Sequence, residues 1–102
     1  MEFNALEPIL DINGQSILVD NKEKLTFRTV AVRTLTLEVT KKWTAVKCLD
    51  VAEKINKQDR FELDKSDADI LAQIIEEGSY FVPVIKARCI RILQEGKKPE
   101  SK

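Results

Sequence analysis

The chain has 102 residues, of which 43% are hydrophobic and 33% charged, a balance that fits one globular domain and argues against disorder. Its 17 basic and 17 acidic residues cancel, so the molecule as a whole has no net attraction for nucleic acid or an anionic membrane. The absence of histidine excludes histidine-based nucleophilic catalysis and histidine-ligated metal sites.

The first predicted element is a β-hairpin over residues 7–20. Two short apolar runs flank Asn13-Gly14, a pair that tolerates the positive φ angles of a tight type I′ turn. Pro8 cannot donate a ladder hydrogen bond, which places it at the start or the outer edge of the first strand. A lone hairpin is unstable in water, so its apolar side chains must pack against the rest of the domain. These side chains are Ile9, Ile12, Ile17 and Val19.

The stretch after the hairpin is compatible with two structures. Thr26 is a suitable N-cap, and the apolar residues after it recur at helical spacing, which predicts a helix over 26–36. Residues 34–40, however, alternate between apolar and polar side chains and are rich in β-formers. A third strand over 34–40 is therefore the alternative.

A clearer helix is predicted over 41–57. Apolar residues recur there at every third position, in a stripe that winds slowly around the helix, while lysine and aspartate side chains face outward. The stripe consists of Trp43, Val46, Leu49, Ala52 and Ile55.

Residues 61–63 are predicted to be extended and to lead into a helix over 65–77. Asp64 is its expected N-cap, and Gly78 is its expected end. The expected buried face consists of Ala68, Leu71, Ile74 and Ile75.

The last predicted helix covers residues 80–95, with Ser79 as its N-cap, Pro83 in its first turn and Gly96 at its end. Only a short turn separates it from the preceding helix, so the two are expected to form a helical hairpin. Its apolar stripe consists of Val82, Ile85, Cys89, Ile92 and Leu93.

Together these elements predict an α+β fold, in which an N-terminal β-hairpin packs against three to four α-helices. The domain is expected to cover residues 1–96, and residues 97–102 are expected to be a disordered tail. The longest apolar stretch is far shorter than the roughly 20 residues of a membrane helix. No secretory signal is recognised, so a cytoplasmic protein without membrane contact is expected.

No motif for catalysis or cofactor binding stands out. The three glycines stand singly, so a glycine-rich phosphate loop is not expected. Cys48 and Cys89 lack the spacing of a zinc site and are expected to be free, buried thiols. The acidic residues around 64–69 fit a helix start better than a cation site, because they lack the glycine and the final glutamate of an EF-hand. We therefore expect a protein without a cofactor or enzymatic activity.

Five residues are candidates for contacts with a partner. Tyr80 and Phe81 lie beside a turn and Phe61 lies in a linker, where aromatic side chains can serve as exposed anchors, although aromatic residues more often belong to a core. Arg88 and Arg91 are the candidates for charged contacts on the last helix. The partner is expected to be another protein or a second copy of the chain, because a hairpin edge offers unpaired backbone groups for homodimerisation.

Binding to DNA or RNA is the alternative. The last two helices could form a helix-turn-helix-like pair that presents Lys86, Arg88 and Arg91, or the lysines of the helix over 41–57 could contact phosphates. The start of the last helix is apolar, however, and the helix before it is acidic. Both features argue against nucleic acid, because base contacts concentrate at the start of a recognition helix and phosphates repel acidic residues.

Several patterns occur together along the chain. They are a D-x-N-G turn over residues 11–14, L-T-F over 25–27, L-x-x-A-x-K-I over 49–55 and F-E-L-D-x-x-D-A-D-I-L over 61–71. In these patterns the chain resembles small uncharacterised proteins encoded by tailed bacteriophages and prophages. The resemblance implies a phage-encoded protein of the bacterial host cytoplasm that acts by binding, as a virion-assembly accessory or as a modulator of a host protein.

Overall fold

The computed structural model describes residues 1–19 and 22–95, and its α+β fold agrees with the prediction. Within these described residues, four short strands and four helices follow one another. They are β1 (Glu2–Asn4), β2 (Leu18–Val19), β3 (Glu23–Lys24), α1 (Phe27–Leu37), α2 (Ala45–Lys57), β4 (Arg60–Glu62), α3 (Lys65–Glu77) and α4 (Pro83–Glu95). The predicted helix end at Gly96, the predicted tail over 97–102 and the last residue of the predicted hairpin lie outside the described residues.

The N-terminal antiparallel hairpin is confirmed. The chain reverses at Asn13-Gly14, where Gly14 has a φ of 84°, and Leu10 forms an antiparallel bridge with Ser16. The hairpin continues through β2, which pairs with β3. Of the hairpin side chains expected to pack, Ile9 is buried, whereas Ile12 is exposed at the turn, so that expectation is wrong for Ile12.

Three backbone segments of this region bind one another in a closed ring. The amide of Ile9 donates to the carbonyl of Leu25, Leu25 donates to Ile17, and Ile17 donates to Ile9, at 2.9, 2.7 and 3.0 Å. This ring brings the start of α1 next to the hairpin and satisfies backbone groups that would be unpaired in an isolated two-stranded ribbon.

A second two-stranded sheet joins distant parts of the chain. Strands β1 and β4 are antiparallel, with Phe3 opposite Phe61. The ring of Phe61 stacks between the rings of Phe3 and Phe27, at centroid distances of 5.4 and 5.9 Å. The extended segment expected over 61–63 is thus β4, and its aromatic side chain belongs to the core.

Residues 27–37 are helical, which agrees with the helix predicted over 26–36 and excludes the strand alternative for most of 34–40. The helix is favoured because Val30, Ala31, Thr34 and Leu35 recur on one face and are all buried. Thr26 occupies the N-cap position, although its side chain makes no capping hydrogen bond.

Helix α2 begins at Ala45, four residues later than predicted. Thr44 is its N-cap, with a side chain that accepts a hydrogen bond from the amide of Lys47. The buried face consists of Cys48, Val51, Ala52 and Ile55. The predicted stripe is therefore wrong at two positions, because Val46 and Leu49 are exposed.

The prediction for α3 is confirmed along its whole length. Asp64 caps it by accepting a hydrogen bond from the amide of Asp67, and the four residues of the predicted stripe are buried. The helix ends at Gly78, whose φ of −67° is open to any residue. A Cβ atom there would lie 3.1 Å from the side chain of Glu38, so the close approach of Glu38 is the reason for glycine.

Helix α4 packs against α3, which confirms the helical hairpin, but α4 begins at Pro83. Ser79 is not its N-cap, because the amides of Ser79 and Tyr80 both donate to the carboxylate of Glu38, at 3.0 and 2.9 Å. Pro83 suits the first helical position, where no amide hydrogen is required. Val82, expected on the buried stripe, precedes the helix and is exposed. In the described residues, no helix has the length and apolar character needed to cross a membrane.

Candidate protein-binding surfaces

The five residues predicted to contact a partner lie in three separate environments. Phe61 is only 1% exposed, within the aromatic stack, so the expectation of an exposed anchor there is wrong. Its position opposite Phe3 in the β1–β4 pair directs the ring into the core, a contact between distant segments that the linker-like sequence around it does not reveal.

Tyr80 and Phe81 lie together in the α3–α4 loop. Tyr80 is exposed, and its hydroxyl accepts a hydrogen bond of 2.9 Å from Nη1 of Arg33, whose guanidinium lies 5.9 Å from the ring centroid. Phe81 is half-buried and meets the Tyr80 ring edge to face at 4.8 Å. Glu38 holds the amides at the start of this loop. The loop is therefore held against α1 and against Glu38, the residue that follows α1.

The basic residues of α4 have different roles. Arg88 donates from Nε to the carbonyl of Leu10 and from Nη2 to the carbonyl of Asp11, at 3.1 and 2.8 Å, and so ties the hairpin turn to α4. Lys86 donates to the carbonyls at the end of α3. Arg91 is exposed. Two of the three cations suggested for nucleic-acid binding therefore stabilise the fold, which weakens that alternative.

An apolar depression lies between the end of α1 and the start of α2, and we name it the α1–α2 groove. It has a volume of about 430 Å³. Leu35, Trp43 and Cys48 lie deep in it and are almost completely buried. Its exposed rim includes Val39, at 97% exposure, and Leu49, at 54%.

Val46 extends the rim along α2. It lies one helical turn before Leu49, so the two side chains are neighbours on the helix surface, and Val46 is 68% exposed. Scattered apolar residues on a surface are ordinary, whereas a contiguous group around a depression indicates an interaction site.

The walls of the α1–α2 groove are fixed by polar contacts. Nζ of Lys47 lies 3.0 Å from Oδ2 of Asp67 on α3 and 5.5 Å from the centroid of the Trp43 ring. Lys42 pairs with Glu77 at 3.2 Å. These pairs connect the α1–α2 loop and α2 to α3 beside the groove.

Sequence reasoning missed this groove because it assigned Val46 and Leu49 to the core. The signal that could have found it is the spacing itself. A step of three residues turns an α-helix by 300°, so each successive member of the stripe is displaced by about 60° around the axis. The stripe therefore cannot stay on one face over 43–55, and some of its members have to leave the core.

Chemically reactive groups are few in the described part of the chain. Both cysteines are free, and burial raises the pKa of Cys89 to about 12, which keeps this thiol protonated and inert at neutral pH. Within residues 1–19 and 22–95, no group of three metal-ligating side chains is found.

Comparisons with known proteins do not assign the chain to a family: no family model matches it, and neither does any curated protein or solved structure.

Proposed function

We propose that this protein is non-enzymatic and acts by binding another protein, whose apolar side chains enter the α1–α2 groove. The observation that carries the proposal is the exposed apolar rim formed by Val39 and Leu49 around a floor that contains Trp43, together with the exposed Val46 one turn before Leu49 on α2. These rim side chains contribute little to the core, and covering them would remove apolar surface from water.

Covering the rim would make a favourable contribution to binding. Complete burial of a valine or leucine side chain is favourable by about 1.5–3 kcal/mol, and Val39 has almost all of its surface still to bury. A partner that covers all three rim side chains and contacts the tryptophan would therefore have a hydrophobic centre of the kind that dominates interface energetics.

Pre-organisation also supports the proposal. Association is weakened by the entropy lost when side chains and loops become ordered. Glu38, which lines the α1–α2 groove, already binds the amide of Ser79, and Lys42 and Lys47 already pair with α3 beside the groove. A partner would bind to a fixed shape, as an amphipathic helix does when its apolar face occupies a groove.

The biological setting of the proposal comes from the sequence resemblance to phage-encoded proteins. It implies that the partner is a virion component during assembly or a host protein whose activity is modulated, in the bacterial cytoplasm. The nucleic-acid alternative has less support, because Lys86 and Arg88 donate their hydrogen bonds to backbone carbonyls of the same chain.

The proposal is tested by site-specific photo-crosslinking in a lysate of the bacterium that carries the gene. A photo-reactive amino acid in place of Val39 is expected to give one discrete crosslinked protein. The same amino acid in place of Leu18, an exposed residue of β2 far along the chain from the groove, is the matched control. Leu49→Asp in the Val39-labelled protein should abolish the crosslink. Equal crosslinking from both positions, or a crosslink that survives Leu49→Asp, would contradict the proposal.

A further inference from the structure

A second surface lies between the hairpin turn and α4, and we name it the arginine cleft. It has a volume of about 220 Å³. Ile12 lines it from the turn. The rest of the lining comes from α4, at spacings of three, four and seven residues that place the side chains on one helix face. These α4 residues are Val84, Ala87, Arg88 and Arg91.

The packing of the domain does not explain why Ile12 is exposed on this surface. It is 85% exposed, although isoleucine is among the residue types most often buried. The turn that presents it is held on two sides. Oδ1 of Asp11 accepts hydrogen bonds from the amides of Asn13 and Gln15, at 2.8 and 3.0 Å, and Arg88 binds the carbonyl of Asp11. An apolar side chain is thus presented to solvent on a rigid support.

The positive charge of the residues that line the arginine cleft indicates an anionic ligand. Both charged side chains that line it are guanidinium groups. Arg88 uses Nε and Nη2 to hold the turn, so Arg91, which is exposed on the next turn of α4, is the group that can meet a ligand. Guanidinium binds carboxylate through two parallel hydrogen bonds, and arginine is enriched at the centres of protein interfaces.

We propose that the arginine cleft binds an acidic segment of a partner protein, with an apolar side chain against Ile12 and Val84 and a neighbouring carboxylate on Arg91. The surface shares no lining residue with the α1–α2 groove. The inference therefore goes beyond the proposed function and stands or fails separately from it.

A second copy of the chain fits this cleft poorly. A two-fold symmetric contact places the same patch of each copy against the other, so Arg91 would face the arginines of its partner copy. Nucleic acid is also disfavoured, because binding of a phosphate backbone relies on several cations. Among the residues that line the arginine cleft, Arg91 is the exposed cation, and it lies beside the apolar side chains of Ile12 and Val84.

The test uses a library of random 12-residue peptides, selected on the full-length protein and counter-selected on the Arg91→Glu variant. Enriched peptides are expected to carry Asp or Glu next to a large apolar residue. One such peptide, made synthetically, should bind Arg91→Glu and Ile12→Asp at least about tenfold more weakly than the unmodified protein, a change of about 1.4 kcal/mol. Arg60→Glu reverses an exposed charge on β4 and is the matched control, with unchanged affinity.

Charge exchange distinguishes direct contact from a folding defect. The same peptide with its acidic residue replaced by lysine should bind Arg91→Glu better than it binds the unmodified protein, which a misfolded variant could not do. The proposal is overturned if the enriched peptides lack acidic residues, or if they bind Arg91→Glu as well as the unmodified protein. It is also overturned if light scattering shows a dimer that Arg91→Glu dissociates, or if a DNA oligonucleotide binds and Arg91→Glu abolishes that binding.

Discussion

Helices α2 and α3 each have 13 residues and a side-chain N-cap, but their apolar residues have different fates. Helix α3 packs against α4 on one side and α1 on the other, and every residue of its predicted stripe is buried. Helix α2 packs mainly against α1, and two members of its predicted stripe, Val46 and Leu49, are exposed. Apolar periodicity therefore predicts a helix in both cases. It predicts the buried face only where the spacing keeps the apolar residues on one side of the helix.

The largest effect is expected for Leu71→Ala in α3. Leu71 is completely buried, so its truncation removes apolar contacts and leaves a cavity, at a cost of about 2–5 kcal/mol in the free energy of unfolding. Urea denaturation followed by circular dichroism measures this change. A loss below about 1 kcal/mol would show that the α3 face is not packed as described.

Smaller losses in the free energy of unfolding, similar to each other in size, are expected when either of two N-cap residues is replaced by alanine. Asp64→Ala removes the hydrogen bond to the amide of Asp67, and Thr44→Ala removes the one to Lys47. Each should lower the free energy of unfolding by about 1 kcal/mol, because a helix amide loses its partner. Serine at either position is the control and should restore most of the loss. If Thr44→Ala had no effect, the observed start of α2 would be in doubt.

The smallest effect on stability is expected for Leu49→Ala, which makes the same chemical change as Leu71→Ala on the exposed side of α2. The free energy of unfolding should change by no more than about 0.5 kcal/mol, as is usual for surface substitutions. The two leucine variants, measured in the same urea titration, test the comparison of α2 and α3 directly. Equal losses would mean that Leu49 belongs to the core.

Features that depend on neighbouring residues could be predicted from the sequence. The turn at Asn13-Gly14, the cap at Asp64 and the stripe of α3 each follow from residues within one or two turns of each other. The same local signals correctly favoured a helix over 26–36, since a face with four buried residues outweighs the alternation that follows it.

Features that depend on distant residues could not be predicted. Phe61 is buried because β4 pairs with β1, which lies at the N-terminal end of the described chain. Helix α4 starts late because Glu38, 41 residues before Ser79, binds the loop amides. Of the candidate sites, Arg91 is exposed as expected. For the α1–α2 groove, the spacing of the stripe shows only that part of it must leave the core, and the way in which α2 is turned against α1 decides which part.

The central claim is that a partner protein occupies the α1–α2 groove, and a thiol introduced on its exposed rim by Val39→Cys reports occupancy directly. Alkylation of the Val39→Cys variant by N-ethylmaleimide, followed by mass spectrometry, should modify position 39 and leave the buried Cys48 and Cys89 unmodified. With the crosslinked partner protein present in excess, we predict that alkylation at position 39 slows at least about tenfold, because an interface that covers the rim excludes the reagent. An unchanged rate in the presence of a bound partner would contradict the account.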